Sequence, residues 1–319
     1  MLYGAIPNIK LPVSRLILGT MAFAPEPAER LEHWYSLLDS FTAAGGNTLD
    51  TAHVYGGGRS ERTIGLWLQR RNRRDDIVVV GKGAHPSSAA PRRVTPEAIS
   101  ADLRESLERL GVSYIDLYLL HRDDPAVPVG PIVECLNEHA AAGRIRAFGG
   151  SNWTTERIEQ ANDYATAHGL QGFSAGSPNL SLAVPKEPMW PGCVSVDHAA
   201  YRWYWERQFP LLSWSSQARG FFSGRFSPDA RDNADMVRVY YDEGNWERLK
   251  RAQEMAAEKG CTTTQIALAW LIRQPLAAYA LIGPLATDEL QDSLGALKVE
   301  LSADEYHWLR AEERELSQS

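Results

Sequence analysis

Four titratable side chains stand out for their types and spacing: Asp50 and Tyr55 in DTAHVYGGG, Lys82 in VVVGKG and His121 in YIDLYLLH. A phenol is a weak acid, with a reference pKa of about 10, but a neighbouring ammonium favours its phenolate and eases proton donation. Lys82 can supply that charge, and Asp50 the counter-ion that an ammonium needs away from bulk water. His121 can then orient a carbonyl. Such a set suits protonation of a developing alkoxide while hydride arrives from a cofactor, since the cofactor carries the harder chemistry. Taken singly, each residue has an ordinary reading: Asp50 with Thr51 could cap a loop, Tyr55 could be core, and Lys82 a solvated strand end. Only common placement makes them a site.

The elements that would place them together are short β-branched runs alternating with amphipathic helical stretches, the pattern of strand-helix units around a parallel sheet. Eight strands are expected, at Leu16–Gly19, Asn47–Asp50, Ile77–Gly81, Ile115–Leu120, Ile145–Gly149, Phe173–Gly176, Leu211–Trp214 and Ala278–Ile282. Eight units imply a closed (β/α)₈ TIM barrel, in which polar residues at the C-terminal strand ends form the active site. Asp50 ends the second strand, Lys82 follows the third and His121 the fourth, so three successive strands deliver side chains to one rim. TMAFAPEPAE after the first strand lacks the G-x-G-x-x-G that a doubly wound nucleotide-binding sheet wants. Thr95-Pro96-Glu97 should open a helix running toward Gly111, and Thr154, Thr155 and Glu156 another ending near Gly169. Long segments after the sixth and seventh strands, Ser177 to about Asp197 and Ser215 to about Asn245, would roof the site. With no low-complexity linker, the reading is one domain over residues 1–319, with a short N-terminal hairpin before the barrel.

Composition narrows the class. Apolar residues make up 44% and charged residues 23%, and no stretch is apolar enough to span a bilayer. The first residues lack the basic start, long apolar run and small-residue cleavage site of a secretory signal, and Cys135, Cys193 and Cys261 have no paired spacing. A cytoplasmic enzyme is expected. A net charge of −7 with interspersed signs offers no basic stripe for nucleic acid, and RRNRR at Arg70 to Arg74 reads as a helix C-terminus.

NTLDTAHVYGGGRSE, VVVGKG, YIDLYLLHRDDP and GRIRAFGGSNW together resemble the aldo-keto reductase family over essentially the whole chain. The resemblance implies a (β/α)₈ barrel binding NADPH or NADH, with Tyr55 as general acid, Lys82 and Asp50 tuning it, and His121 positioning the carbonyl. It further implies that Gly19, Thr20, Met21, Asp50, Ser151 and Asn152 meet the cofactor, and that Trp214 stands where an aromatic, usually tyrosine, stacks on the nicotinamide. The family usually has glutamine after the sixth strand, and here Ser177 takes that place. Ser215, Ser216, Gln217 and Arg219 fall in the motif near the pyrophosphate or ribose. Gly283, Gln291 and Ser293 fall in the adenosine-end segment IGPLATDELQDSLGAL, which has no Arg or Lys to meet a 2′-phosphate.

The expected partner is a small carbonyl or alcohol, with neither nucleic acid nor membrane, and a homo-oligomer is left open. In PNLSLAVPKEPMWPGC, four prolines stiffen the loop that carries Met189 and Trp190, so Trp190 reads as one wall of a pocket for ring-containing substrates, with Met21 and Phe23 as the facing wall. Packing of Trp190 against the barrel is the competing reading. His53, His85 and His198 read as loop or surface residues, and GGGRSE as a turn into a helix with Ser60 near its cap. A metal-dependent barrel would require clustered ligands, but only one histidine directly follows a strand. A cofactor-binding regulatory barrel with little turnover is the remaining alternative.

Overall fold

The computed structural model describes residues 1–87 and 92–310. Strands β1 (Tyr3–Gly4) and β2 (Val13–Ser14) form an antiparallel hairpin. A closed parallel barrel follows, made of β3 (Leu16–Gly19), β4 (Thr48–Asp50), β5 (Val78–Gly83), β6 (Ile115–Leu120), β7 (Ile145–Ser151), β8 (Ala175–Ser177), β9 (Leu211–Ser213) and β10 (Ala278–Ile282). β10 pairs back onto β3, with Ala280 opposite Leu16, which closes the ring. Outside it run α1 (Ala28–Ala43), α2 (Arg59–Arg71), α3 (Pro96–Leu110), α4 (Val129–Ala141), α5 (Thr155–Ala167), α6 (His198–Arg207), α7 (Ala234–Tyr240), α8 (Glu243–Lys259), α9 (Thr263–Ile272), α10 (Thr287–Gly295) and α11 (Ala303–Leu309).

The expected hairpin, eight strands and long segments after the sixth and seventh barrel strands are all present. β3, β6 and β10 fall on the expected residues, and the others shift by one or two at their ends. Asn47 drops out of β4 because its side chain serves the hairpin, accepting from the Ser14 backbone N–H at 3.0 Å and donating to the Pro12 carbonyl at 2.7 Å. β5 and β7 instead run two residues further than expected. Their ends are rich in glycine, and at Gly149 a Cβ would lie 2.0 Å from the Ala175 carbonyl oxygen, so the bare backbone permits continued pairing with β8. Lys82 therefore lies within β5 rather than after it.

Helix ends follow their sequence signals. Thr95 accepts from the Ala98 N–H at the start of α3, which ends at Gly111 in a left-handed conformation with φ 63°. Thr154 caps α5 in the same way. The RRNRR run closes α2, where Arg71 pairs with Asp76 at 2.9 Å and Arg74 with Asp116 at 2.6 Å.

Side chains along a strand alternate between faces. Ile17, Val78, Val80, Leu117, Leu119, Ala147, Ala175, Leu212 and Tyr279 fill the barrel axis, and Ile6 and Val13 of the hairpin region join this cluster. The other face of the strands, including Leu16, Leu49, Val79 and Tyr118, packs beneath the helices. Counting on in steps of two from the inward positions, Thr48 of β4 included, reaches Gly19, Asp50, Lys82, His121, Ser151, Ser177, Trp214 and Gly283, a ring at the C-terminal mouth.

Gly149→Ala should lower stability by at least about 2 kcal/mol, because the new methyl meets backbone rather than a movable side chain. Denaturant unfolding checks this, and an unchanged midpoint would show that β7 and β8 can separate without loss.

Candidate active site

Lys82 is the centre of the ring. Its Nζ donates to Asp50 Oδ1 at 2.5 Å, to the Thr51 carbonyl at 3.0 Å and to the Tyr55 hydroxyl at 3.4 Å, so all three ammonium protons are directed. Asp50 and Lys82 are both buried. Burial raises the Asp50 carboxyl above its usual range, while the Lys82 charge and hydrogen bond pull it back. Burial also opposes the Lys82 charge, but attraction from Asp50 and Tyr55, with hydrogen bonds to both, leaves the amine above its ordinary value. The 2.5 Å contact joins the two side chains as an ion pair.

Tyr55 reaches the mouth because the segment after β4 continues to pair with β5: Thr51 N–H donates to the Val80 carbonyl and His53 N–H to the Lys82 carbonyl, each at 2.8 Å. The chain then turns sharply at Gly56 and Gly57, where φ of 58° and 65° favours glycine. Arg109 braces this turn, donating to the His53 carbonyl at 3.1 Å and to buried Glu61 at 3.1 Å. Burial pushes the Tyr55 phenol above its ordinary value; Lys82 draws it down and Asp50 adds to the rise. The expected easing by the ammonium is thus present but outweighed, and the phenol keeps its proton at neutral pH. Since the Tyr55 oxygen accepts from Lys82, its own proton remains free to be donated.

His121 lies edge-on to Tyr55, with ring centroids 5.7 Å apart. Burial, followed by the charges of Lys82, His85 and Arg122, holds its imidazole well below the usual histidine range, so it is neutral. Its Nδ1 is buried and has no partner among the described residues. His85, expected as a loop or surface residue, lies in the loop after β5 and sits edge-on to His121 at 4.8 Å, because the ends of β5 and β6 are adjacent. Its Nδ1 meets the Pro86 carbonyl at 2.7 Å, and burial lowers its pKa. His53 bonds Glu105 at 2.9 Å, and His198 is the exposed first residue of α6.

The remaining candidates divide. Ser151, Asn152, Ser177 and Trp214 stand together at the ends of β7, β8 and β9. Ser151 Oγ donates to the Ser177 carbonyl at 3.2 Å, while the Asn152 amide donates to the His121 carbonyl at 3.3 Å and accepts from Val194 N–H at 3.1 Å. Ser177 Oγ and Trp214 Nε1 are buried and have no partner among the described residues. Thr20 donates to the Asp50 carbonyl at 2.8 Å, beside Gly19 and the 60% exposed Met21. Ser216 donates to the Leu281 carbonyl at 2.6 Å, and Gln217 to Ser293 at 3.4 Å, tying the segment after β9 to β10 and α10. Ser215 and Arg219 have left-handed φ of 49° and 55°; Gly283 lies in open space and Gln291 is exposed.

One expectation is corrected. Phe23 is not a pocket wall: it is 2% exposed and stacks on Trp34 of α1 at 4.5 Å, since a buried indole offers the phenyl ring more apolar contact than the open mouth. Ser60, expected near the cap of α2, is the second residue of that helix, and its hydroxyl is buried between Thr20 at 2.6 Å and Thr51 at 2.8 Å. In the loop after β8, Met189 turns into the core, while Trp190 remains 38% exposed and lies 6.0 Å from Trp214, with the Arg219 guanidinium 5.0 Å from the Trp190 ring.

The Aldo/keto reductase family profile matches residues 15–312 of the chain. The chain belongs to the aldo/keto reductase family. This aldo-keto reductase is 28% identical to norsolorinic acid reductase stcV of Emericella nidulans over 94% of its own length and 78% of the relative's. It is 27% identical to protein tas of Escherichia coli over 95% of each chain. A thermostable aldo-keto reductase crystallised with the inhibitor epalrestat has the same fold, with a TM-score of 0.75, 24% identity and coverage of 97% and 99%. Family membership makes the chain an oxidoreductase of carbonyl or alcohol groups. No described helix is long and apolar enough to cross a membrane.

Lys82→Met should leave Asp50 buried without a cation, at a cost of about 3–5 kcal/mol. Without Lys82, burial alone acts on the carboxyl, so its folded pKa lies further above the unfolded value. The folded variant then holds more protons, and its stability is greatest at acid pH and falls as pH rises through that pKa. Thermal melts at pH 5 and pH 8 test the sign; a variant more stable at pH 8, relative to wild type, would contradict it.

Proposed function

We propose that the protein reduces an aldehyde or ketone with NADH or NADPH, or oxidises the corresponding alcohol, with Tyr55 as the proton donor. The observation that carries this reading is the Lys82 ammonium reaching Asp50 at 2.5 Å and the Tyr55 oxygen at 3.4 Å, because it orients the phenol proton away from the ion pair. Tyr55 gives that proton to the carbonyl oxygen as alkoxide character develops. Lys82 then stabilises the phenolate, and Asp50 keeps the lysine charged and in place. Neutral His121 offers one N–H, which orients the same oxygen without competing as an acid.

The polar groups left unpaired at the mouth fit a nicotinamide. Ser177 Oγ and Trp214 Nε1 are buried donors without partners among the described residues, and the Trp214 indole offers a face for stacking. Gly19, Thr20, Met21, Asp50, Ser151 and Asn152 complete this end of the cofactor site. Ser215, Ser216, Gln217 and Arg219 would hold the pyrophosphate and ribose, and Gly283, Gln291 and Ser293 the adenosine end. When bound, the nicotinamide supplies hydride to the carbonyl carbon. Trp190, exposed opposite Trp214, supports a flat or ring-containing substrate with Trp214 as its neighbour in place of Phe23.

Tyr55→Phe should lower kcat/KM for reduction by about 10² to 10⁴ while cofactor affinity stays within a few fold. Near wild-type turnover would refute the assignment. At the opening of α10, Glu289 accepts from the Leu285 N–H at 2.7 Å, placing a carboxylate where a 2′-phosphate would want a cation. Fluorescence titration should accordingly give NADPH no more than about tenfold tighter binding than NADH. A preference above about a thousandfold would require a cation from elsewhere.

A further inference from the structure

We propose that Arg122 is a substrate-recognition residue that binds a carboxylate carried by the carbonyl compound; the inference rests on the reductase reading above. Arg122 follows His121 directly and is only 8% exposed. Its Nη1 donates to the His121 carbonyl at 2.8 Å and its Nε to the Pro191 carbonyl at 3.3 Å, which leaves three of its five N–H groups. No acidic side chain among the described residues forms an ion pair with it. Buried Lys82 pairs with Asp50, and the half-buried Arg74 and Arg157 pair with Asp116 and Asp123.

The acids nearest in sequence are committed elsewhere. Asp123 takes both Arg157 Nε at 2.8 Å and Nη2 at 3.1 Å, and Asp124 accepts from the Ala126 N–H at 3.1 Å and lies 3.9 Å from Arg92. Burying a guanidinium without a counter-ion is costly, so a fold that retains one at a mouth favours an anion from outside. The rest of the mouth cannot supply that anion or share the charge. Lys82 is cancelled by Asp50, and burial keeps His121 and His85 neutral. Arg219, over Trp190, belongs to the segment assigned to the cofactor.

The position selects the ligand. Arg122 is adjacent in sequence to the residue that orients the carbonyl, and its charge acts on Tyr55, His121 and His85 alike. Pro191 and Gly192 of the loop after β8 cover it; a Cβ on Gly192 would lie 3.3 Å from Arg122 Cδ. One planar guanidinium with one uncancelled charge matches a planar monoanion, and a carboxylate fits its fork. A phosphate dianion would call for further cations. Arg122 thus favours a carbonyl acid over the neutral compound of the same shape.

The test is steady-state reduction, by the full chain with NADH or NADPH, of 2-, 3- and 4-carboxybenzaldehyde against the three matched methylbenzaldehydes. Wild type is expected to prefer at least one carboxylate isomer by about tenfold or more in kcat/KM. Arg122→Gln should cost that isomer at least about tenfold more than its methyl counterpart, mainly through KM, with Arg122→Lys recovering part of the difference. Equal losses in both series would make Arg122 a latch between His121 and the Pro191 loop and overturn the proposal. A wild-type enzyme that reduces methylbenzaldehydes but prefers no carboxylate isomer overturns it without the variants, even if they fail to fold. Reduction of neither series overturns the reductase reading and this inference with it.

Discussion

Side chains on a closed parallel strand face the axis at every second residue, and the axis of an eight-stranded barrel is only wide enough to be filled by them. The apolar plug of Val78, Val80, Leu117, Leu119 and Ala147 therefore decides what stands above it. Lys82 continues the Val78 and Val80 face, and His121 continues that of Leu117 and Leu119. A slip of one residue in either strand would send these groups under the helices and bring Val79 or Tyr118 to the axis. The register of β5 on β6, with Lys82 opposite Leu119, thus positions the site as well as the core.

That placement imposes an electrostatic constraint. A lysine held above an apolar plug remains charged only with a close carboxylate, and β4 delivers Asp50 beside β5 to meet it at 2.5 Å. Once the pair exists, Lys82 still has protons to direct, and the Thr51 carbonyl and Tyr55 hydroxyl receive them. The turn at Gly56 and Gly57, braced by Arg109, brings the phenol to that position. The same burial strips charge from His121 and His85, leaving the mouth with one buried cation that has no acidic partner among the described residues.

The strand pattern and the four central residues were legible because they depend on local signals: β-branched runs ending in a polar residue on the inward parity. Gly149 and Gly150 hid the true end of β7, since glycine breaks the apolar pattern while permitting the closest strand approach. Phe23 was misread because its burial depends on Trp34, which a separate helix supplies. The contacts of His85 and Ser60 were not legible for a similar reason. One reaches His121 only through the pairing of β5 with β6, and the other bonds Thr20 and Thr51 from neighbouring strand ends. The isolation of Arg122 has no sequence signature at all, because RDDP places two acids beside it and only the fold turns both away.

The central claim is that Tyr55, and neither histidine, is the acid. The pH dependence of kcat/KM for reduction of a neutral aldehyde tests it most directly. With His121 and His85 held neutral and the phenol raised by burial, the profile should be flat between about pH 5 and 8 and fall only in the alkaline range, as Tyr55 loses its proton. A break near the ordinary histidine pKa, with activity falling as pH rises through it, would identify an imidazolium as the donor and contradict the account.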